Sequence, residues 1–317
     1  MSPNTSKTSH TAREIATQPE CWLRAADDVR GVRAAGFAAA LPRPGERVAV
    51  TGCGTSWFMA QAYAALREAA GQGETDAHPA SEFPVGRGYD RVVAITRSGT
   101  TTEVLELLGV LRQRRPDTPV LALTADPAAP VLRAAPHVAV LDYADEESVV
   151  QTRFATSALA FLRAGLEAAG ALPPGVGTVA GAAADAAAGL GDELPQEALT
   201  AGQWTFLGRG WTYGLALEAA LKMREAAGVW TEAYPAMEYR HGPVSIAGPG
   251  RVVWLFGAAP EGLAEDVRRA GGLLVTAPGV DPMADLVRVQ RLAVAVAVAR
   301  GLDPDRPRHL TRSVILP

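Results

Sequence analysis

A chain of 317 residues is long enough for two domains of ordinary size, each with its own core. Thirty basic residues against 34 acidic ones leave a formal charge of -4, which argues against the basic field of a nucleic-acid binder. Two cysteines, Cys21 and Cys53, make neither a disulfide framework nor a metal-ligand set, and no apolar run nears the roughly 20 residues that span a bilayer.

The polar start, MSPNTSKTSHTARE, lacks the apolar stretch of a secretory signal, so the expectation is a cytoplasmic protein with no nucleic-acid and no membrane partner. Residues 1 to about 12 read as disordered, with a short helix following, and 1–25 are taken together as an N-terminal tail and helix. From residue 46, apolar runs (RVAVTG, RVVAIT, PVLALT) alternate with helical stretches (FMAQAYAALREAA, TEVLELLGVLRQRR). Strands alternating with helices predict βαβ units and a parallel sheet, placed at 26–185. The low-complexity stretch GAAADAAAGLGDELPQ at 181–196 reads as a separator before a second αβ unit at 198–317, which opens with QWTFLGRG. In LAVAVAVA at 292–299 the alternation suits a strand, but the alanine content predicts a helix ended by Gly301. The expected fold is α/β: two doubly wound parallel-sheet, flavodoxin-like units in tandem.

Two loops stand where an apolar strand passes into a helix, TGCGTSW at 51–57 and ITRSGTTTEV at 95–104. In open α/β sheets that edge binds ligands. Thr55, Ser56, Ser98, Thr100, Thr101 and Thr102 offer hydroxyls beside the N–H groups of a helix start, an arrangement that caps a helix or binds a phosphate. Two such loops in the same register, one carrying Arg97, favour the phosphate. Neither is a Walker motif or a dinucleotide fingerprint, so a small phosphorylated molecule fits better than a nucleotide.

A predicted helix over 213–227 puts Glu218, Lys222 and Glu225 on one face, with Leu215, Leu217, Ala220 and Leu221 on the buried side. That spacing suits a solvated face of ion pairs or a reactive cluster. Lys222 is the only lysine beyond Lys7 in a chain that otherwise writes arginine, and a compact ammonium differs chemically from a guanidinium, which favours the cluster. His241, in the turn YRHGP, is the histidine with carboxylates upstream and the best candidate for acid/base work.

These motifs, together with REIATQP at 13–19, ASEFP at 80–84, EESVVQTRFAT at 146–156 and DPDRPRHLTRSV at 303–314, resemble the double sugar isomerase (SIS) domain family. The chain is similar to the isomerase half of glutamine:fructose-6-phosphate aminotransferase and to aminosugar-phosphate isomerase/deaminases. The resemblance implies a sugar-phosphate site formed by Thr55, Ser56, Thr96, Arg97, Ser98 and Thr101, with Val149 and Gln151 beside it. It implies that Glu225 moves a proton between C1 and C2, that Glu218 and Lys222 orient and polarise the reacting centre, and that His241 opens the sugar ring from a neighbouring subunit. A homodimer or higher oligomer is therefore expected, with no cofactor and no metal.

Arg312 stands where the synthase has an imine-forming lysine, and a guanidinium cannot serve as that nucleophile. The chain also shows no N-terminal cysteine nucleophile, so glutamine is not expected as a nitrogen donor. The leading expectation is conversion of a hexosamine 6-phosphate, glucosamine 6-phosphate first, to ketose 6-phosphate and ammonia. The alternatives are a deglycase of phosphorylated sugar-amine adducts and a non-catalytic phosphosugar sensor. Because FGAAPEG at 256–262 is poor in hydroxyls, one phosphate site per chain is expected.

Overall fold

The computed structural model describes residues 9–31 and 40–316. Strands β1 (Val48–Gly52), β2 (Thr75–Pro79), β3 (Arg91–Ile95), β4 (Val120–Thr124) and β5 (His137–Val140) form one sheet in the order β2-β1-β3-β4-β5. Strands β6 (Gln203–Gly208), β7 (Thr231–Pro235), β8 (Arg251–Leu255) and β9 (Leu273–Thr276) form a second, β7-β6-β8-β9. Every pairing in both sheets is parallel. β1, β3 and β4 are buried along their whole length, and their unbroken apolar runs are what strands covered on both faces require. In each sheet the order reverses beside the first strand, between β1 and β3 and between β6 and β8, which is where doubly wound sheets open a ligand crevice.

The helices are α1 (His10–Ala16), α2 (Gln18–Arg30), α3 (Thr55–Ala69), α4 (Thr102–Arg114), α5 (Val131–Ala134), α6 (Arg153–Ala168), α7 (Val179–Gly189), α8 (Gln196–Thr200), α9 (Thr212–Ala227), α10 (Leu263–Arg269) and α11 (Pro282–Ala299). LAVAVAVA is the end of α11, followed by Gly301 at φ +70°, as its alanines predicted. The sheets are two, but one hydrophobic cluster draws on both. It holds Val50, Ile95 and Leu123 with Trp204, Phe206 and Trp254, and Trp22, Phe154, Phe161 and Leu286 from the helices. A buried polar chain crosses it. Trp22 Nε1 donates to Thr156 Oγ1 at 2.9 Å, Thr156 Oγ1 to Gln18 Oε1 at 2.7 Å, and Gln18 Nε2 to Gln290 Oε1 at 2.7 Å, tying α2, α6 and α11 together.

Two expectations need correction. Residues 10–12 are helical rather than disordered: Ser9 caps α1 through its side chain, and the Asp305 carboxylate accepts from the N–H groups of His10 and Thr11, each at 2.8 Å. Residues 1–8 lie outside the described residues. The stretch from 181 is no spacer either. It runs through α7, whose Ala182, Ala183 and Ala186 belong to the shared core, because alanine's small size lets a helix lie close against its neighbours.

Candidate active site

The two hydroxyl-rich loops close tightly over the edge of the first sheet because their glycines leave no room for side chains. A Cβ on Gly52 would fall 2.7 Å from Ser56 Cβ and 2.9 Å from the Ile95 carbonyl oxygen. Gly99 has φ +60°, and a Cβ there would meet Ala129 Cβ at 2.5 Å. Between these loops, at the β1/β3 reversal, lies a cavity of about 200 Å³.

Thr55 and Ser56 from the first loop, and Thr96, Arg97, Ser98 and Thr101 from the second, form much of its wall. Val149 and Gln151 add the segment before α6, Arg312 the C-terminal stretch, and Glu225 the end of α9. No side chain caps α3 or α4, and helix starts of this kind suit an anion. Thr96 Oγ1 is buried with no hydrogen-bond partner, an atom that a bound polar ligand would satisfy. Ser98 Oγ accepts from the Thr100 N–H at 3.2 Å and from Thr100 Oγ1 at 2.8 Å, which fixes the loop.

The two arginines of the wall are engaged elsewhere. Arg97 donates to the carbonyl oxygens of Ser148 (3.1 Å), Val149 (3.3 Å) and Arg312 (2.7 Å), and lies 3.5 Å from the buried Glu146 carboxylate. Its guanidinium therefore holds the segment bearing Val149 and Gln151, and the C-terminal stretch, against the loop. Arg312 donates to the Glu146 carbonyl oxygen and pairs with Asp145.

The Glu218, Lys222 and Glu225 face of α9 is buried, not solvated. Glu218 and Lys222 are among the least exposed residues of the chain, whereas Leu217 and Leu221, expected inside, are only half-buried. The reason is Gly214. A Cβ there would lie 2.5 Å from the Phe58 carbonyl oxygen and 2.7 Å from the Ala62 nitrogen, so α9 and α3 cross in backbone contact. That crossing brings Lys222 Nζ to Thr55 Oγ1 at 3.0 Å and sets its ammonium between Glu225, to which it donates, and Glu218 at 3.6 Å. Neither Glu218 oxygen holds a hydrogen bond. Burial pushes the Glu218 carboxyl up to about 8, with Lys222 opposing the rise and Glu225 adding to it. Burial works against the Lys222 ammonium, but its two carboxylate neighbours outweigh it and raise its pKa. A protonated Glu218 leaves one cation beside one carboxylate in this interior.

His241 is not brought to this cavity within one chain. It is exposed, between the 3₁₀ turns Glu238–Arg240 and Pro243–Ile246, where Gly242 takes φ +126°. Sequence reasoning missed Cys53, whose thiol burial pushes up to about 11, and the inward side of the C-terminal stretch, Leu310, Thr311 and Ser313. Ser313 Oγ meets Thr100 Oγ1 at 3.0 Å, and the Leu316 N–H donates to Thr102 Oγ1 at 2.9 Å, so this stretch is stitched to the second hydroxyl-rich loop. The signal was a second run of hydroxyls, Thr311 and Ser313, in an otherwise loop-like tail. At the reversal point of the second sheet lies another cavity, of about 670 Å³, walled by Arg209, Trp211, Phe256 and Gly257, with Thr212 as its one hydroxyl. Among the described residues, no group of three or more His, Cys, Asp and Glu side chains is placed to hold a metal ion.

Comparison with known proteins finds a family model that matches the first sheet. Residues 43–167 match the SIS domain. The SIS match spans β1 to β5 and both hydroxyl-rich loops. Among curated relatives, glutamine–fructose-6-phosphate aminotransferase (isomerizing) of Aeropyrum pernix is 31% identical over 95% of this chain and 56% of its own length. The enzyme of that name from Thermosynechococcus vestitus is 29% identical over 85% of this chain and 51% of its own. The chain thus spans about half the length of the curated relatives it matches. Among solved structures, glucosamine-6-phosphate deaminase of Thermotoga maritima superposes with a TM-score of 0.78 at 22% identity, over 97% of this chain and all of that one. Tagatose-6-phosphate ketose/aldose isomerase of Escherichia coli gives 0.76 at 18% identity, over all of this chain and 99% of that one. At these identities the likeness is one of fold.

Proposed function

We propose that this protein is an aminosugar-phosphate isomerase/deaminase that takes a hexosamine 6-phosphate, glucosamine 6-phosphate first, to ketose 6-phosphate and ammonia. The observation that carries the reading is Glu225: among the described residues it is the only carboxylate on the wall of a cavity otherwise rich in hydroxyls and helix starts. The phosphate sits among Ser56, Thr96, Ser98 and Thr101, and its binding energy holds the open-chain sugar with C1 and C2 beside Glu225. Glu225 takes the C2 proton as the C1 carbonyl oxygen gains one, the C1–C2 edge becomes an enolamine, and the proton returns to C1 as the nitrogen gives one up. The nitrogen is then an imine at C2. Water adds there, its oxygen becomes the ketone oxygen, and its two protons leave with nitrogen as ammonia.

Lys222, fixed between Thr55 and Glu225, is a point charge that steadies negative charge developing on the substrate's oxygen; the protonated Glu218 behind it keeps the interior neutral. His241 opens the sugar ring at the cavity of a second copy of the chain, which agrees with its exposure and its absence from its own chain's cavity wall. The name of the curated relatives, an isomerizing aminotransferase, supports the isomerase part of this chemistry. The test is release of ammonia and fructose 6-phosphate from glucosamine 6-phosphate, with unphosphorylated glucosamine as control.

A further inference from the structure

Helix α1 stands behind the hydroxyl-lined cavity and puts none of its residues on the wall. Its Glu14, 4% exposed, reaches the segment that carries Val149 and Gln151 into that wall. Glu14 Oε1 accepts from the N–H groups of Glu147 at 2.5 Å and Ser148 at 3.3 Å, and Glu14 Oε2 meets the Ser148 hydroxyl. From the other side Arg97 donates to the Ser148 and Val149 carbonyl oxygens. The turn is therefore gripped between α1 and the second hydroxyl-rich loop.

The Ser148 hydroxyl shows where a proton belongs. It lies within reach of two oxygens, Glu14 Oε2 and the Val150 carbonyl oxygen, the latter at 2.9 Å, and it has one proton to give. A carbonyl oxygen only accepts, so the bond to Val150 uses that proton, and the contact with Glu14 is a hydrogen bond only if the carboxyl supplies its own. The neighbouring charges agree. Glu146 is buried too, and its Oε1 accepts from the Thr152 N–H at 2.5 Å, the Thr152 hydroxyl at 2.7 Å and the Arg153 N–H at 2.8 Å, donors that suit a carboxylate. Arg97, 3.5 Å from it, is its cation, while Glu147 turns outward to His10. A neutral Glu14 leaves one buried cation beside one buried carboxylate. Burial pushes the Glu14 carboxyl above its ordinary value and Glu146 adds to the rise, against the hydrogen bonds from Ser148 and Glu147.

We propose that Glu14 is a neutral carboxyl that donates to the Ser148 hydroxyl and so fixes the backbone of 147–151 at the cavity wall, which makes it a positioning residue for the site. That the wall so fixed faces a sugar phosphate rests on the functional reading above. An ionised Glu14 would draw the Ser148 proton to itself and leave the Val150 carbonyl without its donor. Glu14→Gln keeps the pattern, its amide oxygen accepting the two N–H groups and its NH2 donating to Ser148.

The experiment follows two quantities on the full chain: backbone hydrogen exchange over 147–151 without ligand, by mass spectrometry, and calorimetric binding of glucitol 6-phosphate, an open-chain sugar phosphate with no carbonyl to react. Glu14→Ala is expected to speed exchange in that segment and to weaken binding about tenfold, as an unpaired buried polar group allows. Glu14→Gln is expected to match the wild type in both to within about twofold. If Glu14→Ala does not fold, Ser148→Ala, which removes the relaying hydroxyl alone, is read against the same expectation. Exchange or binding unchanged in the alanine variant overturns the positioning role, and Glu14→Gln as impaired as Glu14→Ala overturns the neutral carboxyl. No binding by the wild type overturns the placing of a sugar phosphate in this cavity, and the exchange, which uses no ligand, then decides the role of Glu14 by itself.

Discussion

At the scale of single residues, the charges on α9 set a pH dependence. The Glu218 carboxyl is raised to about 8 by burial first, against an ordinary value of 4.5 that its unfolded form recovers. Between those two values the folded chain holds a proton that the unfolded chain has lost, so stability falls as pH rises through that window and levels off above it. Glu218→Gln keeps the shape and removes the titration. The variant is expected to lose that part of the fall and to gain on the order of 2 kcal/mol over the wild type at pH 8 relative to pH 5, read from denaturant unfolding at the two pH values. Identical pH profiles would contradict a protonated Glu218. Much of this cluster was legible in the sequence. The scarcity of lysine singled out Lys222, and spacing joined it to Glu218 and Glu225. Its burial was not legible, because helical periodicity assigns charged faces to solvent, and the hydroxyl that receives the Lys222 ammonium, Thr55, lies 167 positions away along the chain.

At the scale of elements, the crossing of α3 and α9 positions Thr55 against Lys222, and Gly214 permits it. Gly214→Ala places a methyl 2.5 Å from the Phe58 carbonyl oxygen and 2.8 Å from Ala62 Cβ. The helices must separate, at about 1–3 kcal/mol as overpacking usually costs, and Thr55 moves away from Lys222. A lower melting temperature together with reduced kcat is expected, and an unchanged melting temperature would show that the contact is soft. The strands and their hydroxyl-rich ends were readable because parallel strands covered on both faces appear as apolar runs, and because glycines mark the tight turns that follow. The stretch from 181 was misread for an equally physical reason: alanine and glycine in quantity look like spacer, while in three dimensions small side chains let α7 press into the shared core. The C-terminal stretch was noticed as a motif with Arg312 in it, but its seat on the loop at 97–102 was not legible, because that comes from contacts between distant residues and not from any pattern of its own.

At the scale of the molecule, the proposed function requires the exposed His241 and the cavity around Glu225 to form one site across two copies of the chain. If that is so, Glu225→Gln and His241→Asn proteins, each inactive alone, should regain activity when unfolded together and refolded as a mixture, since mixed dimers hold one intact site. Roughly a quarter of wild-type turnover is expected for random pairing in a symmetric dimer. No recovery, with mixed dimers demonstrated by mass, would place His241 outside the chemistry. The most direct measurement is made on the intact protein: ammonia and fructose 6-phosphate released from glucosamine 6-phosphate by the wild type and by Glu225→Gln, with phosphosugar binding followed by calorimetry. The account predicts turnover by the wild type and a loss of about 10²-fold or more in the variant, as for removal of a general base, with binding retained. Turnover that survives in Glu225→Gln would contradict it.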